Sequence, residues 1–286
     1  MGVLYVVATP IGNLEDITLR ALRILREVKL IAAEDTRTTA KLLTRYEIHT
    51  PMVSFFEHNE VVRQEEILRA LETQDVALVS EAGMPAISDP GYRLVQAAIA
   101  AGVQVVIVPG PSAVLAALAV SGLPTDSFVF LGFLPRRRVA RQQLLASVRD
   151  EPRTVVCFEA PHRLVATLED VHSVLGDRQL VIAGELTKMY EEVWRGRVSE
   201  GLAHFCQTPP RGEFTLVLAG ASERGERVWE EAHVCQALAE LLASGMSRRD
   251  AAAQVAEMAH WPRRAVYRLA VQEATHADSK SSRHTQ

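Results

Sequence analysis

From the amino terminus, short apolar runs rich in β-branched residues alternate with stretches whose apolar residues recur every three or four positions. LYVVA at 4–8 is followed by a helical pattern from about Ile17 to Val28, with Leu19, Leu22, Leu25 and Val28 on one face and Asp16 placed to cap it. LIAA, a helix over 38–45, MVSFF, a helix over 61–74 and VALVS come next. A helix over 92–101, VQVVIV and a helix after Ser112 complete the series. Strand, helix and strand in repetition predict a parallel α/β sheet.

Around Gly122-Leu123-Pro124-Thr125-Asp126 the pattern breaks and then resumes: FVFLGFLP, RTVVCFEA, a helix over 163–175, QLVIAGE, a β-like EEVWRG, a helix over 198–205 and EFTLVLAG. The spacing predicts a parallel-sheet α/β domain over 1–124 and a second, mixed α/β domain over 125–221. After Gly220 come linker residues and three helical patterns, 229–242, 247–258 and 262–272, within a C-terminal segment over 228–275. The last two, joined by a turn near His260-Trp261-Pro262, have the size of a helix-turn-helix; a plain helical appendage explains the same pattern. The polar tail at 276–286 reads as disordered.

Composition changes this picture little. The 286 residues, 48% hydrophobic and 23% charged, suffice for two ordinary cores. Cys157, Cys206 and Cys235 are odd in number and form no C-x-x-C, which argues against a disulfide framework or a zinc site and favours a reducing, cytoplasmic setting. No basic lead precedes the first apolar run, so no signal peptide is expected. The charge-free stretch 94–125 is interrupted by VPGPS, where a membrane-spanning helix would need continuous backbone bonding. A net charge of −4 excludes a uniformly basic surface, yet two arginine clusters stand out. One is Arg136, Arg137 and Arg138 with Arg141; the other is Arg248, Arg249, Arg263, Arg264 and Arg268. Either alone is ordinary for a solvated helix face.

Candidate chemistry gathers at the ends of the predicted strands. ATPIGNLED has Gly12 in its turn but no G-x-G-x-x-G, which disfavours dinucleotide binding. SEAGMPAISDPG ends the fourth strand, and VPGPSA ends the fifth. Open parallel sheets bind ligands at such ends, where glycine lets a ligand approach backbone amides. AAEDTR adds Glu34, Asp35 and Arg37 to the same rim, and HNE adds His58, Asn59 and Glu60. No metal-ligand spacing, nucleophile elbow or P-loop is present.

These blocks, with SGLPTDSFVFLGFLP, APHR, ELTK and GEFTLVLAG, resemble in order those of the ribosomal RNA small subunit methyltransferase I family, within the tetrapyrrole-methylase-like class III S-adenosylmethionine-dependent enzymes. The resemblance runs from about Leu4 to Gly220, and the C-terminal helices resemble that family's helix-turn-helix extension. It implies two α/β domains with S-adenosylmethionine in the cleft between them, a homodimer, and 2′-O-methylation of a decoding-centre cytidine in 16S ribosomal RNA of the small subunit. Carried over, Ile11, Gly12, Ser80, Glu81, Ala82 and Gly83 touch the cofactor, and Ser112 and Ala113 close over it. From the second domain, Phe158, Glu159, Leu186 and Phe214 flank its adenine and ribose. Asp35, Glu34, His58 and Lys188 are the candidates to assist the hydroxyl proton; Arg37, Asn59, Arg136, Arg137, Arg138 and Arg141 are the candidates for RNA. The sequence departs from the family's usual blocks at Glu81 for Asp, Met84 for Thr and Gly184 for Arg. Two other readings stay open: a small-molecule tetrapyrrole methyltransferase of the same fold, and a non-catalytic nucleic-acid-binding regulator with a decayed cleft.

Overall fold

The computed structural model describes residues 1–56, 58–221, 231–259 and 261–271; the tail at 276–286 and the linker 222–230 lie outside them. The chain divides into two compact units, Met1–Ala221 and Ser222–Gln286.

In the first unit, β1 (Val3–Val7), β2 (Leu30–Ala33), β3 (Met52–Ser54), β4 (Val76–Val79) and β5 (Gln104–Val108) form one sheet in the order β3-β2-β4-β1-β5. Every pair in it is parallel. Parallel neighbours need crossovers, supplied by α1 (Leu19–Glu27), α2 (Thr36–Arg45), α3 (Glu60–Leu71) and α4 (Tyr92–Ala100). The chain steps one way from β1 to β3 and back from β3 to β5. Right-handed crossovers therefore put α1 and α2 on one face and α3 and α4 on the other. Leu22, Leu25 and Leu42 fill the first layer, and Ile67, Leu71 and Leu94 the second. With both faces covered, β4 is buried at all positions and needs its unbroken VALV. The carboxyl ends of β1, β2 and β4 thus lie side by side where the strand order reverses, the usual place for a ligand.

The start of α1 differs from expectation. Thr18 is its cap, accepting from the Ala21 amide, while Asp16 belongs to a 3-10 turn, Leu14–Asp16. At 3.6 residues per turn, Leu19 points opposite to Ala21, Ile24 and Val28, and it is 86% exposed.

β6 (Phe128–Phe133), β7 (Thr154–Glu159), β8 (Gln179–Gly184), β9 (Glu192–Arg197) and β10 (Phe214–Leu218) form a second sheet, β6-β7-β10-β8-β9. Only β6 and β7 pair in parallel. On one face Val155, Cys157, Leu180, Leu216 and Leu218 pack against α6 (Arg138–Ser147), α7 (Leu164–Leu175) and α8 (Val198–Gln207). On the other, Val156, Val181, Ala183 and Val217 meet Val114, Ala117 and Leu118 of α5 (Ala113–Ser121). Two findings were not foreseen. α6 begins inside the arginine cluster, and α5, which sequence places in 1–124, packs on the second sheet.

The second unit has its own core. Val234 and Leu238 of α9 (Glu231–Ala243), Ala251, Val255 and Ala259 of α10 (Arg248–Ala259), and Val266 and Ala270 of α11 (263–271) are buried together. The stretch 94–125 is α4, β5 and α5, and among the described residues no helix is long and apolar enough to cross a membrane.

Candidate active site

The expected turns of the first sheet meet. Thr9 and Gly83 exchange backbone hydrogen bonds of 2.8 and 3.1 Å, and the Thr9 hydroxyl donates to the Ser80 carbonyl. Gly83 has φ +82°, and a side chain there would lie 3.4 Å from Ile11 and 3.8 Å from the Pro111 carbonyl. The ends of β1, β4 and β5 are thereby stitched into one floor.

The second sheet closes on that floor from two sides. Gly12 lies so near residues 186–188 that a Cβ would come within 2.5 Å of Lys188 Cγ and 2.9 Å of the Leu186 carbonyl. The Asn13 amide donates to Thr187 Oγ1 at 3.1 Å. On the other side, a Cβ on Gly132 of β6 would lie 3.0 Å from Ser88 Oγ. Both lips carry residues in the left-handed region that are not glycine: Ala86 (φ 68°) and Ser88 (64°) on one, Glu185 (49°) and Thr187 (66°) on the other. Such conformations cost about 1–3 kcal/mol each, most for a β-branched residue such as Thr187, and gather at ligand-holding loops.

Strand alternation decides which second-sheet residues face this cleft. Phe158 and Leu186 lie on the side that meets Ile11 and Ala113. Glu159 and Phe214 do not. Glu159 is wholly buried on the opposite face, accepting from the Thr167 hydroxyl at 2.5 Å and the Ala160 amide and pairing with Arg163. Phe214 packs edge-on to Phe205 beneath α8. Both cofactor assignments are corrected by one step of the two-residue period. The step also brings in residues sequence reasoning missed: Thr215, paired with Phe158 and Ala183, and Phe130, whose ring centre is 5.1 Å from that of Phe158. The departure at Gly184 belongs to the opposite face too, where a Cβ would stand 2.8 Å from the Phe214 ring.

The rim is acidic and incompletely neutralised. Glu34 accepts from the Glu81 amide at 3.0 Å, and burial, with Glu81 and Asp35 nearby, raises its pKa. Asp89 is not among the candidates read from sequence. Burial, then the charges of Glu34, Glu81 and Glu213, push it up to about 7 despite a hydrogen bond from Ser80.

The other candidates are tied down. Asp35 caps α2 by accepting from the Arg37 amide, and its ion pair with the Arg37 side chain at 2.9 Å lowers it to about 2, a poor proton acceptor. Arg37 is held by the same pair, although its side chain is 88% exposed. The Glu81 carboxylate lies 3.4 Å from the Thr38 hydroxyl, turned toward α2. Lys188 is held by Glu185 at 2.9 Å and Glu213 at 3.3 Å; burial opposes its charge, but these partners raise its pKa overall. Asn59 bonds Ser54 and the Phe56 amide, fixing the β3–α3 turn, and His58 is exposed beside Phe56.

Of the first arginine cluster, only part is available to RNA. Arg141 is buried and pairs with buried Asp170 at 2.6 Å; Arg138 pairs with the same carboxylate at 3.0 Å. Burial would raise Asp170, but Gln142, Arg141 and Arg138 override it and hold the carboxyl below its usual range. The RNA assignment of Arg141 is therefore corrected, while Arg136 and Arg137 are exposed.

Comparison with known proteins places this arrangement. The sequence pattern of the family described as Tetrapyrrole (Corrin/Porphyrin) Methylases matches residues 3–201, and that of the RsmI C-terminal HTH domain matches 230–274. A Synechocystis protein named Ribosomal RNA small subunit methyltransferase I is 48% identical, covering 95% of this chain and 98% of that one. The chain belongs to that family. A Thermotoga maritima member is 54% identical over 77% of this chain and 99% of its own. In fold alone, the uroporphyrin-III C-methyl transferase of Thermus thermophilus, solved complexed with S-adenyl homocysteine, aligns with a TM-score of 0.55 at 22% identity, covering 76% of this chain and 97% of that one. This member of the small subunit methyltransferase I family is thus a methyltransferase with S-adenosylmethionine as methyl donor.

Proposed function

We propose that this enzyme transfers the methyl group to the ribose 2′-oxygen of a decoding-centre cytidine in 16S ribosomal RNA of the small subunit, acting as a cytoplasmic homodimer. The observation that carries the reading is one cleft with an apolar wall of Phe130, Phe158 and Leu186 facing an acidic, under-neutralised rim of Glu34, Glu81 and Asp89.

The residues present fit the cofactor. The wall suits an adenine, the glycine turn at 80–83 brings backbone within reach of a carboxylate, and Glu34 and Asp89, raised first by burial and then by neighbouring carboxylates, suit a ligand carrying positive charge. Ile11, Gly12, Ser80, Ala82, Gly83, Ser112, Ala113, Phe158 and Leu186 would hold it. When bound, it supplies an electrophilic methyl on a positive sulfonium.

In-line transfer to a hydroxyl draws mainly on alignment and exclusion of water, which two closely apposed lips provide. The hydroxyl also loses a proton. Lys188 is protonated and Asp35 is too weak a base. We assign the role to Glu34, partly buried at the end of β2 with a raised pKa. Glu34→Gln is expected to lower single-turnover rates at saturating cofactor about 100-fold or more, far beyond any loss of cofactor affinity, and an unchanged rate removes Glu34. A homodimer is supported by large apolar side chains left exposed on a single chain, among them Ile99, Ile107, Leu115 and Val120; sedimentation tests it.

The deciding experiment is methylation of small subunits from cells lacking this activity, with the modified nucleotide mapped. A single ribose-methylated cytidine is expected; a methylated base, or another nucleotide, overturns the reading.

A further inference from the structure

The second unit holds a concavity of about 670 Å³ in which four arginines, Arg249, Arg263, Arg264 and Arg268, surround Tyr267 over a floor of two alanines of α10. Among the described residues no carboxylate lines it. Among the described residues none of the four guanidinium groups makes an ion pair or a hydrogen bond. Four like charges gathered round one opening repel each other, and a stable fold keeps such an arrangement at a cost in stability unless a polyanion relieves it.

The helices place these groups by simple spacing. Arg264 and Arg268 stand one turn apart on α11 with Tyr267 beside them, and Arg249 lies one turn before the alanine floor of α10. Ala252 is buried in the unit's core while Tyr267 is 47% exposed, so the floor is part of a packed core and the aromatic ring is open to a partner. Planar forks suit phosphate oxygens, a flat exposed ring suits a nucleobase, and the volume exceeds what a single phosphate fills. A carboxylate peptide would satisfy the charge but leave the exposed ring unused.

We propose that this concavity is a second RNA-binding site, gripping the phosphodiester backbone of the ribosomal RNA substrate with one base stacked on Tyr267. It rests on the reading that the acceptor is ribosomal RNA. It assigns to the C-terminal unit the phosphate contacts that the acidic catalytic rim and the buried Arg141 do not offer.

The test is fluorescence anisotropy of the full-length protein with a labelled 16S fragment containing the target nucleotide, over a salt series, alongside methylation kinetics. The triple variant Arg249→Gln, Arg264→Gln, Arg268→Gln is expected to weaken binding about tenfold or more. The slope of log affinity against log salt becomes shallower by about 2 to 3, at about 0.7–0.9 per lost contact. KM for RNA rises, kcat at saturating RNA is kept, and calorimetric S-adenosylmethionine binding is unchanged. The matching triple lysine variant keeps the slope, which separates lost charge from lost folding. Tyr267→Ala weakens binding about tenfold with the slope unchanged. Wild-type affinity and slope in the glutamine variant overturn the proposal, as does a loss confined to duplex DNA. If the wild-type enzyme leaves this RNA unmethylated, the proposed reaction fails while the anisotropy series still decides the surface.

Discussion

Two arginine clusters that look alike in the sequence have opposite fates in the fold. In the segment 136–141, Arg138 and Arg141 converge on the buried carboxylate of Asp170, joining α6 to α7. In the C-terminal unit, Arg249, Arg263, Arg264 and Arg268 surround an opening that no carboxylate lines among the described residues. A run of positive charge is therefore not a surface until its counter-ions are located. The first cluster is partly internal bracing, through Arg138 and Arg141, and the second is available to a partner. The acidic rim divides in the same way: Asp35 is spent on capping α2 and holding Arg37, whereas burial and neighbouring carboxylates keep the pKa values of Glu34 and Asp89 raised.

Arg141→Ala should break this comparison most visibly. It leaves Asp170 buried with much of its compensation gone, and a loss of about 3–5 kcal/mol in urea unfolding is expected. A smaller loss would mean that Arg138 and Gln142 suffice to hold that carboxylate. Asp89→Asn comes next and acts in the opposite direction. Its folded pKa of about 7 lies above the ordinary value of 3.8, so stability is fully present below pH ~4 and is lost as pH rises through about 7. The variant should be more stable than wild type above pH 7, by about 1 kcal/mol once solvent screening is allowed for, with the gap closing toward pH 4. A pH-independent gap would mean that Asp89 is already ionised at low pH.

Asp35→Ala removes a helix cap and should lower the melting temperature by a few degrees, with little change in S-adenosylmethionine binding. Loss of cofactor binding would return Asp35 to the site. The smallest change expected is for Arg264→Gln, which should move the melting temperature by less than about 1 °C because the side chain braces nothing in the described structure.

The architecture was legible because both sheets announce themselves by period. VALV is unbroken where a parallel strand is covered on both faces, and QLVIAG and FTLVL alternate between two cores. The rim was legible from its glycine turns and acidic blocks. What failed was parity: Phe158 and Glu159 are adjacent in sequence, but a strand turns them to opposite faces, and the same step misplaced Phe214. α6 was hidden because Arg138 and Arg141 read as solvent-facing, while the carboxylate that buries Arg141 is 29 residues away. The role of Asp89 depends on Glu34 and Glu213 approaching through the fold, which no local window contains.

The crossing of α5 onto the second sheet bears on how residues 1–221 can be divided. Cutting the chain at 124/125 would leave Val114, Ala117 and Leu118 on one fragment and the Val156, Val181 and Val217 surface they cover on the other. Each piece would carry a raw apolar face, so neither half is a free-standing module. A protease nick at that joint should leave the halves associated, and the pair should melt in one transition.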